Sequence, residues 1–237
     1  MSVGLKKRVP NIIIAVVALS LLLIGVLITR GPAPVPLTEK ERAWLRKNNG
    51  LIRLAPCPGW EPMEFFDESG YRGMVADYIR LIERKLDIRF KIVEFDSWSR
   101  ILSEAKLNNV DVIAAAHPTP ERWTFMNWTE PYLEFPAVVI TRKADRRQLI
   151  PENMSGMNVG VCRDYVVESY LATTYPDIRL FPVPDGVGGL EKVSFGELDA
   201  MVLELPNAFY NIEQHKITNL RMAGKTQWVA RYGIGTR

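Results

Sequence analysis

The sequence predicts an α/β fold in two successive halves, preceded by one membrane-spanning segment, and three observations lead there. Short apolar runs of strand length alternate with helical patterns from residue 51 onward, the arrangement of βαβ units and a mainly parallel sheet. A pattern of an acid placed just before a strand occurs twice, as Asn109-Val110-Asp111-Val112 and as Gly196-Glu197-Leu198-Asp199-Ala200. Residues 12–28 are 17 residues without a charge, about 26 Å as a helix, which just crosses a bilayer core.

The charge balance follows from that segment. The formal net charge is +3, but Lys6, Lys7, Arg8 and Arg30 supply four positive charges before the first acid at Glu39. The rest of the chain is close to neutral and has no basic stripe of the kind nucleic acid requires. Lys6-Lys7-Arg8 ahead of the apolar run favours a cytoplasmic N-terminus and an exported remainder. A cleaved signal peptide is the competing reading; it would carry a shorter apolar region and a small-residue cleavage site. Here Leu27-Ile28-Thr29-Arg30-Gly31-Pro32 follows, and prolines continue to Pro36. The expected division is residues 1–10 in the cytoplasm, residues 11–29 as a transmembrane anchor, and residues 30–50 as linker and lead-in helix.

The elements then come in order. Thr38-Glu39-Lys40-Glu41 is a capping box for a helix over residues 39–48, and Asn48-Asn49-Gly50 ends it. Residues 51–55 read as the first strand. The three prolines of the stretch 56–62 make it a loop, and the turn 67–70 follows. A helix after Gly73 carries Tyr78, Ile82 and Leu86 on one face. Residues 89–95 alternate as a strand, and Asp96 or Ser97 caps a helix with Trp98, Ile101, Leu102 and Ala105. After the strand at 110–115, Thr119-Pro120-Glu121-Arg122 has the order of a helix start: a capping hydroxyl, a proline where a missing N–H costs nothing, and an acid at the positive end of the dipole. Residues 136–141 are a further strand. The second half repeats the alternation: a strand at 158–161, a helix from Tyr165 capped by Asp164, a strand at 179–182, a Gly-rich stretch 185–189 leading into a helix, a strand at 200–203, and a helix from Pro206.

Arg122 therefore lies just past the end of a strand, where open α/β sheets bind ligands. The run Asp111-Val112, Thr119-Pro120-Glu121-Arg122, Trp128-Thr129-Glu130-Pro131-Tyr132 resembles the signature of the family 3 solute-binding proteins. These are two-lobed "Venus flytrap" receptors with the type II periplasmic-binding-protein fold. The short loop Ala116-His117-Pro118 and the lead-in Leu37-Thr38-x-x-Glu41-x-x-Trp44-Leu45 resemble the membrane-bound sensor members. The resemblance implies lobe one at residues 51–142, lobe two at 143–223, crossings near 141–144 and 223–227, and an incomplete return to lobe one at 224–237.

The resemblance also implies a ligand site. Arg122 would grip a ligand carboxylate, with Thr119 at the same turn, Trp60 would stack on the ligand, and Glu204 would receive its ammonium. Two places depart from the family pattern. Cys57 stands where many amino-acid receptors carry a second acid. Cys162-Arg163-Asp164-Tyr165 stands where the family has Gly-Ser or Gly-Thr at a helix start; there Asp164 would repel an anion and Arg163 could compensate. His117 lies near the cleft. A Cys57–Cys162 bridge would tie the two lobes together and prevent closure, so free thiols are expected. No metal-ligand spacing surrounds the histidines, and no cofactor is implied. The expected partners are a small amino-acid-like or carboxylate solute, the inner membrane, and a signalling or transport partner. The rival reading is a periplasmic dehydratase-like enzyme on the same fold, with Glu204 as general acid.

Overall fold

The computed structural model describes residues 35–237. The expected anchor at residues 11–29 lies outside them, and among the described residues no helix is long and apolar enough to cross a membrane. Helix α1 (Glu39–Asn48) begins as the sequence implies. The Glu41 N–H donates to Thr38 Oγ1 at 3.3 Å, and the Glu41 carboxylate accepts from the Thr38 N–H and hydroxyl, both at 2.7 Å.

From Ala43 to Arg237 the chain forms one compact unit. Its main sheet has nine strands: β1 (Arg53–Leu54), β4 (Lys91–Ile92), β5 (Val112–Ala116), β6 (Asn127–Trp128), β7 (Leu133–Arg142), β8 (Asn158–Cys162), β9 (Arg179–Val183), β10 (Ala200–Glu204) and β11 (Leu220–Thr236). They run in the order β4-β1-β5-β11-β7-β10-β8-β9, with β6 beside β11. A separate hairpin joins β2 (Phe65–Asp67) to β3 (Gly70–Arg72). The remaining helices are α2 (Met74–Leu86), α3 (Trp98–Lys106), α4 (Val166–Thr174), α5 (Gly186–Phe195) and α6 (Leu205–Gln214).

The sheet is mixed rather than mainly parallel. The outer pairs β1–β4, β1–β5, β8–β9 and β8–β10 are parallel, whereas every pairing of β7 and β11 is antiparallel. The two acid-then-strand patterns do the same job in each half. The Asp111 carboxylate accepts from the Arg53 N–H at 2.9 Å, and the Asp199 carboxylate accepts from the Asn158 N–H at 2.8 Å. Each acid pins the start of the neighbouring parallel strand, and Arg53 adds a two-pronged ion pair to Asp111.

Strands β5, β8 and β10 are almost wholly buried, as expected of strands covered on both faces. Alternate residues of β7 and β10 serve opposite faces: Ala137, Val139, Ala200 and Val202 join one core with Met154 and Leu171, while Val138, Ile140, Met201 and Leu203 join another with Leu190. Leu133 and Phe135 belong instead to the first-lobe core around Leu54, Ile101 and Ile113. Within β7 the side chains thus pass from the first of these cores to the other two at Pro136. The return lies within β11, whose register against β7 shifts between Lys225 and Val229. Thr226 holds that irregularity: its buried hydroxyl donates to carbonyls of Ala137 and Trp228 and accepts the Trp228 N–H.

Other local expectations change as well. The 89–95 strand shortens to β4. The turn after Pro120 is a single 3-10 turn, Arg122–Thr124, rather than a helix. Asp164 does not cap α4; its φ is +61° and its N–H donates to the Glu168 carboxylate at 2.7 Å. Tyr78 is 40% exposed, and Val75, Ala76 and Ile79 carry the buried face of α2.

The Gly-rich stretch is helix, not lead-in. Asp185 caps α5 by accepting the Gly188 N–H at 2.7 Å. A Cβ on Gly189 would collide with Met201 of β10, so this helix needs glycine to lie on the sheet. Gly189→Ala should therefore destabilise the protein by about 1–3 kcal/mol. Gly188→Ala should cost clearly less, since only the capping carboxylate is near it, at 3.3 Å. Urea denaturation of the two variants checks the contrast.

Candidate functional site

Where β7 and β11 pass between the lobes, residues from both sides converge. The loop after β1 contributes Cys57 and Trp60, the start of α3 gives Trp98, and the end of β5 gives Ala115, Ala116 and His117. Arg122 comes from the 3-10 turn, Tyr165 and Val166 from the start of α4, Glu204 from the end of β10, and Trp228 and Tyr232 from β11. Between them remains a cavity of about 30 Å³, room for a water-sized occupant and far below the ~300–1,000 Å³ of an open ligand pocket. The cleft is closed.

Arg122 is 6% exposed. Thr119 Oγ1 accepts its backbone N–H at 3.2 Å, which fixes the turn. The guanidinium donates to the His117 carbonyl at 2.8 Å and, across the cleft, to the Asp164 carbonyl at 3.1 Å, and it lies 5.0 Å from the centre of the Trp98 ring. Among the described residues it forms no ion pair. Burial pulls its pKa down from the ordinary range, yet an arginine remains charged. Glu204 is 3% exposed, accepts from the Tyr232 hydroxyl at 2.7 Å, and is pushed up by burial; it too has no cationic partner among the described residues.

Much of the wall is aromatic. The Trp60 ring centre lies 4.8 Å from that of Tyr232, and its buried Nε1–H has no partner among the described residues. Trp98 Nε1 donates to the Asp164 carbonyl at 3.2 Å. The His117 ring lies 5.4 Å from Trp228, and its Nδ1 accepts the Arg231 N–H at 3.0 Å; burial pulls its pKa down. Cys57 and Cys162 are buried and free, and burial pushes both thiols well up, away from a reactive thiolate.

Of the residues the sequence nominated, Cys57, Trp60, His117, Arg122 and Glu204 line the cavity. Thr119 stands behind Arg122. Arg163 is exposed and does not line the cavity. Trp98, Tyr165, Trp228 and Tyr232 were missed as site residues. Tyr165 stands in the very tetrapeptide that departs from the family pattern, where only its charged neighbours drew notice. Trp98 reads as an ordinary core position of α3, which it also is.

Two lobes joined by antiparallel strands, with a cleft lined by one buried guanidinium and one buried carboxyl group, define a solute-binding architecture. The chain belongs to the bacterial extracellular solute-binding proteins, family 3, whose pattern it matches over residues 52–227. It is 26% identical over 184 residues to the sensor protein EvgS of Escherichia coli (strain K12), covering 77% of this chain and 15% of that protein. The chain spans about 15% of the length of the curated sensor proteins it matches. In fold it is similar to the periplasmic VFT2 domain of Bordetella pertussis BvgS (TM-score 0.76, 18% identity, 85% of this chain and 87% of that one). It is likewise similar to holo ArgBP of T. maritima (TM-score 0.71, 23% identity, 82% and 85%).

One further acid stands behind the cleft wall. Glu64 is 1% exposed; its carboxylate accepts the Cys57 N–H at 3.0 Å and the Tyr71 hydroxyl, and burial pushes it up to about 7. A carboxyl raised in the fold stabilises it below its ordinary range, near 4.3, and that contribution is lost as pH rises through about 7. His117, lowered in the fold, acts in the opposite direction, so the comparison must be made against a variant. The melting temperature of Glu64→Gln should decline less between pH 5 and 8 than that of the parent, on a scale of about 2–4 °C per kcal/mol for a chain of this size. Parallel pH profiles would contradict the assignment.

Proposed function

We propose that this chain is a membrane-anchored, periplasm-facing receptor domain that binds a small carboxylate-bearing solute and passes that event to a signalling partner. The observation that carries the reading is Arg122, a buried cation without a carboxylate partner among the described residues, lining the same cavity as the equally unpaired Glu204. Charges removed from water are costly unless paired. A solute that brings a carboxylate to Arg122 and an ammonium to Glu204 supplies both partners, and the Trp60 ring adds a favourable surface for a cation. An amino-acid-like solute meets both charges, and a simple carboxylate meets the first. The likeness to an arginine-binding protein offers a precedent for a solute of this kind.

The sensory role rests on the named sensor relatives. The anchor at residues 11–29, with residues 1–10 in the cytoplasm, rests on the uncharged run and the preceding Lys6-Lys7-Arg8. Binding is favoured over dehydratase-like catalysis because the named relatives and neighbours are sensor proteins and a solute-binding protein. The chain should fractionate with membranes and keep residues 1–30; a soluble form starting near residue 31 would contradict the anchor.

A thermal-shift screen of the full chain against L-amino acids and small organic acids, followed by calorimetry, tests the site. Removing a desolvated charge partner costs about 2–5 kcal/mol, so Arg122→Ala should weaken binding about 30-fold or more. Arg122→Lys should recover little, because an ammonium cannot fork onto a carboxylate. Glu204→Gln should weaken only solutes that carry an ammonium. Arg122→Ala binding like the parent would remove the carboxylate role, and a screen without a single binder would overturn the reading.

A further inference from the structure

The cleft is closed by the protein's own groups. The Asp164 carbonyl accepts from both Arg122 and Trp98 Nε1, and the Asp164 carboxylate accepts from the Ser99 hydroxyl of α3. Asp164 reaches this position through its positive φ of +61°, a left-handed conformation in which Asp is among the more tolerant residues. The next residue, Tyr165, extends into the cavity with its hydroxyl 3.4 Å from Cys57 Sγ and its ring centre 6.4 Å from that of Trp98. Tyr165 packs against the first-lobe core and against both cores of the second lobe. On another wall of the cleft, Asn207 Nδ2 of α6 donates to the Glu61 carbonyl at 2.6 Å.

The lobes are thus stitched directly to each other. One of the two oxygens that accept from the Arg122 guanidinium is a backbone oxygen of the opposite lobe. We propose that Asp164 and Tyr165 are an internal occupant of the cleft, which holds the domain closed without solute and sets which solutes can enter. This rests on the solute-binding reading and adds a competition to it. A solute must replace the Asp164 carbonyl on Arg122 and displace the Tyr165 ring from the Cys57 wall. A carboxylate offers Arg122 a stronger, charge-assisted partner than a carbonyl. A neutral solute offers nothing better than what is already there. Tyr165 is therefore a specificity-determining residue, and because the open state is minor, the apparent affinity of any solute is lowered by the fraction of molecules that are open.

Cys57 reports on the occupant without any solute, because it lies beneath the Tyr165 hydroxyl, whereas Cys162 is buried in a second-lobe core and does not line the cavity. The full chain, without added solute, is treated with N-ethylmaleimide, and modification of each cysteine is followed by peptide mass spectrometry. In the parent, Cys57 should react as slowly as Cys162. In Tyr165→Ala, Cys57 alone should react about tenfold faster, the change expected when a minor open state becomes populated. Tyr165→Phe, which keeps the ring, should stay near the parent. Should Tyr165→Ala unfold and both cysteines accelerate together, Ser99→Ala decides, since it removes only the bond to the Asp164 carboxylate; Cys57 alone should then quicken. Fast Cys57 modification in the parent, or no selective change in the deciding variant, overturns the proposal. A panel of the L-amino acids and small carboxylates is then titrated: carboxylate-bearing binders should bind Tyr165→Ala at least about tenfold more tightly than the parent. Equal affinity would overturn the competition. If neither protein binds any of them, the solute reading fails, while the cysteine rates still decide whether the cleft is self-occupied.

Discussion

A buried guanidinium without a carboxylate is the constraint on which the rest of this structure turns. Taking an unpaired charge out of water is tolerated only where other groups compensate, and around Arg122 each neighbour contributes. The end of β5 supplies the His117 carbonyl, Thr119 fixes the backbone turn, Trp98 offers the face of its ring, and Asp164 brings a carbonyl from the opposite lobe. Three of these four come from the first lobe itself, which makes the position of the cation independent of closure. The fourth depends on closure entirely. Arg122 is therefore both the feature that would read a solute and a group whose solvation changes when the lobes part.

The same logic explains why closure is available without a solute. Two antiparallel strands, β7 and β11, carry the chain between the lobes, and the irregularity at Thr226 lies within that ribbon. An irregular segment on a two-strand connection is a natural place for backbone torsions to change during hinge motion. Closing brings Asp164 onto Arg122 and Asn207 onto Glu61, each a polar contact that the open form would exchange for water. A solute can only shift such an equilibrium by the difference in its affinity for the two forms. Chemistry that competes for Arg122 supplies that difference.

Much of this was legible in the sequence, where a local rule and the tertiary structure agree. The Thr38–Glu41 box, a cap at Asp96 or Ser97 (Ser97 in the structure), and the strand-to-turn presentation of Arg122 follow from short-range chemistry, whereas the pattern at Asp111 and Asp199 was visible without the strands that each acid pins, 58 and 41 residues away. What was not legible depends on long-range contacts. The passage of β7 from one core to the others at Pro136 is decided by which core each residue enters, which the run 133–142 does not show by itself. Asp164 looked like a helix cap because its type and position fit; the structure instead turns its backbone left-handed and aims its carboxylate at Ser99. Tyr165, Trp228 and Tyr232 are aromatic residues at positions a core would accept equally well, and only the meeting of the start of α4 with β11 makes them a cavity wall. The Gly-rich start of α5 reads as a loop until Met201 is placed beneath Gly189.

The domain is closed by its own residues, and the distance between lobes measures that closure directly. Leu107, at the end of α3, and Phe195, at the end of α5, are 67% and 78% exposed, so Leu107→Cys and Phe195→Cys accept spin labels in a chain that also carries Cys57→Ser and Cys162→Ala, where opening uncovers no further thiol. Pulsed electron paramagnetic resonance on the solute-free chain should give one narrow distance distribution. Introducing Tyr165→Ala should shift part of it to longer distances. A parent protein with a broad, long distribution that narrows only when a solute is added would contradict the account.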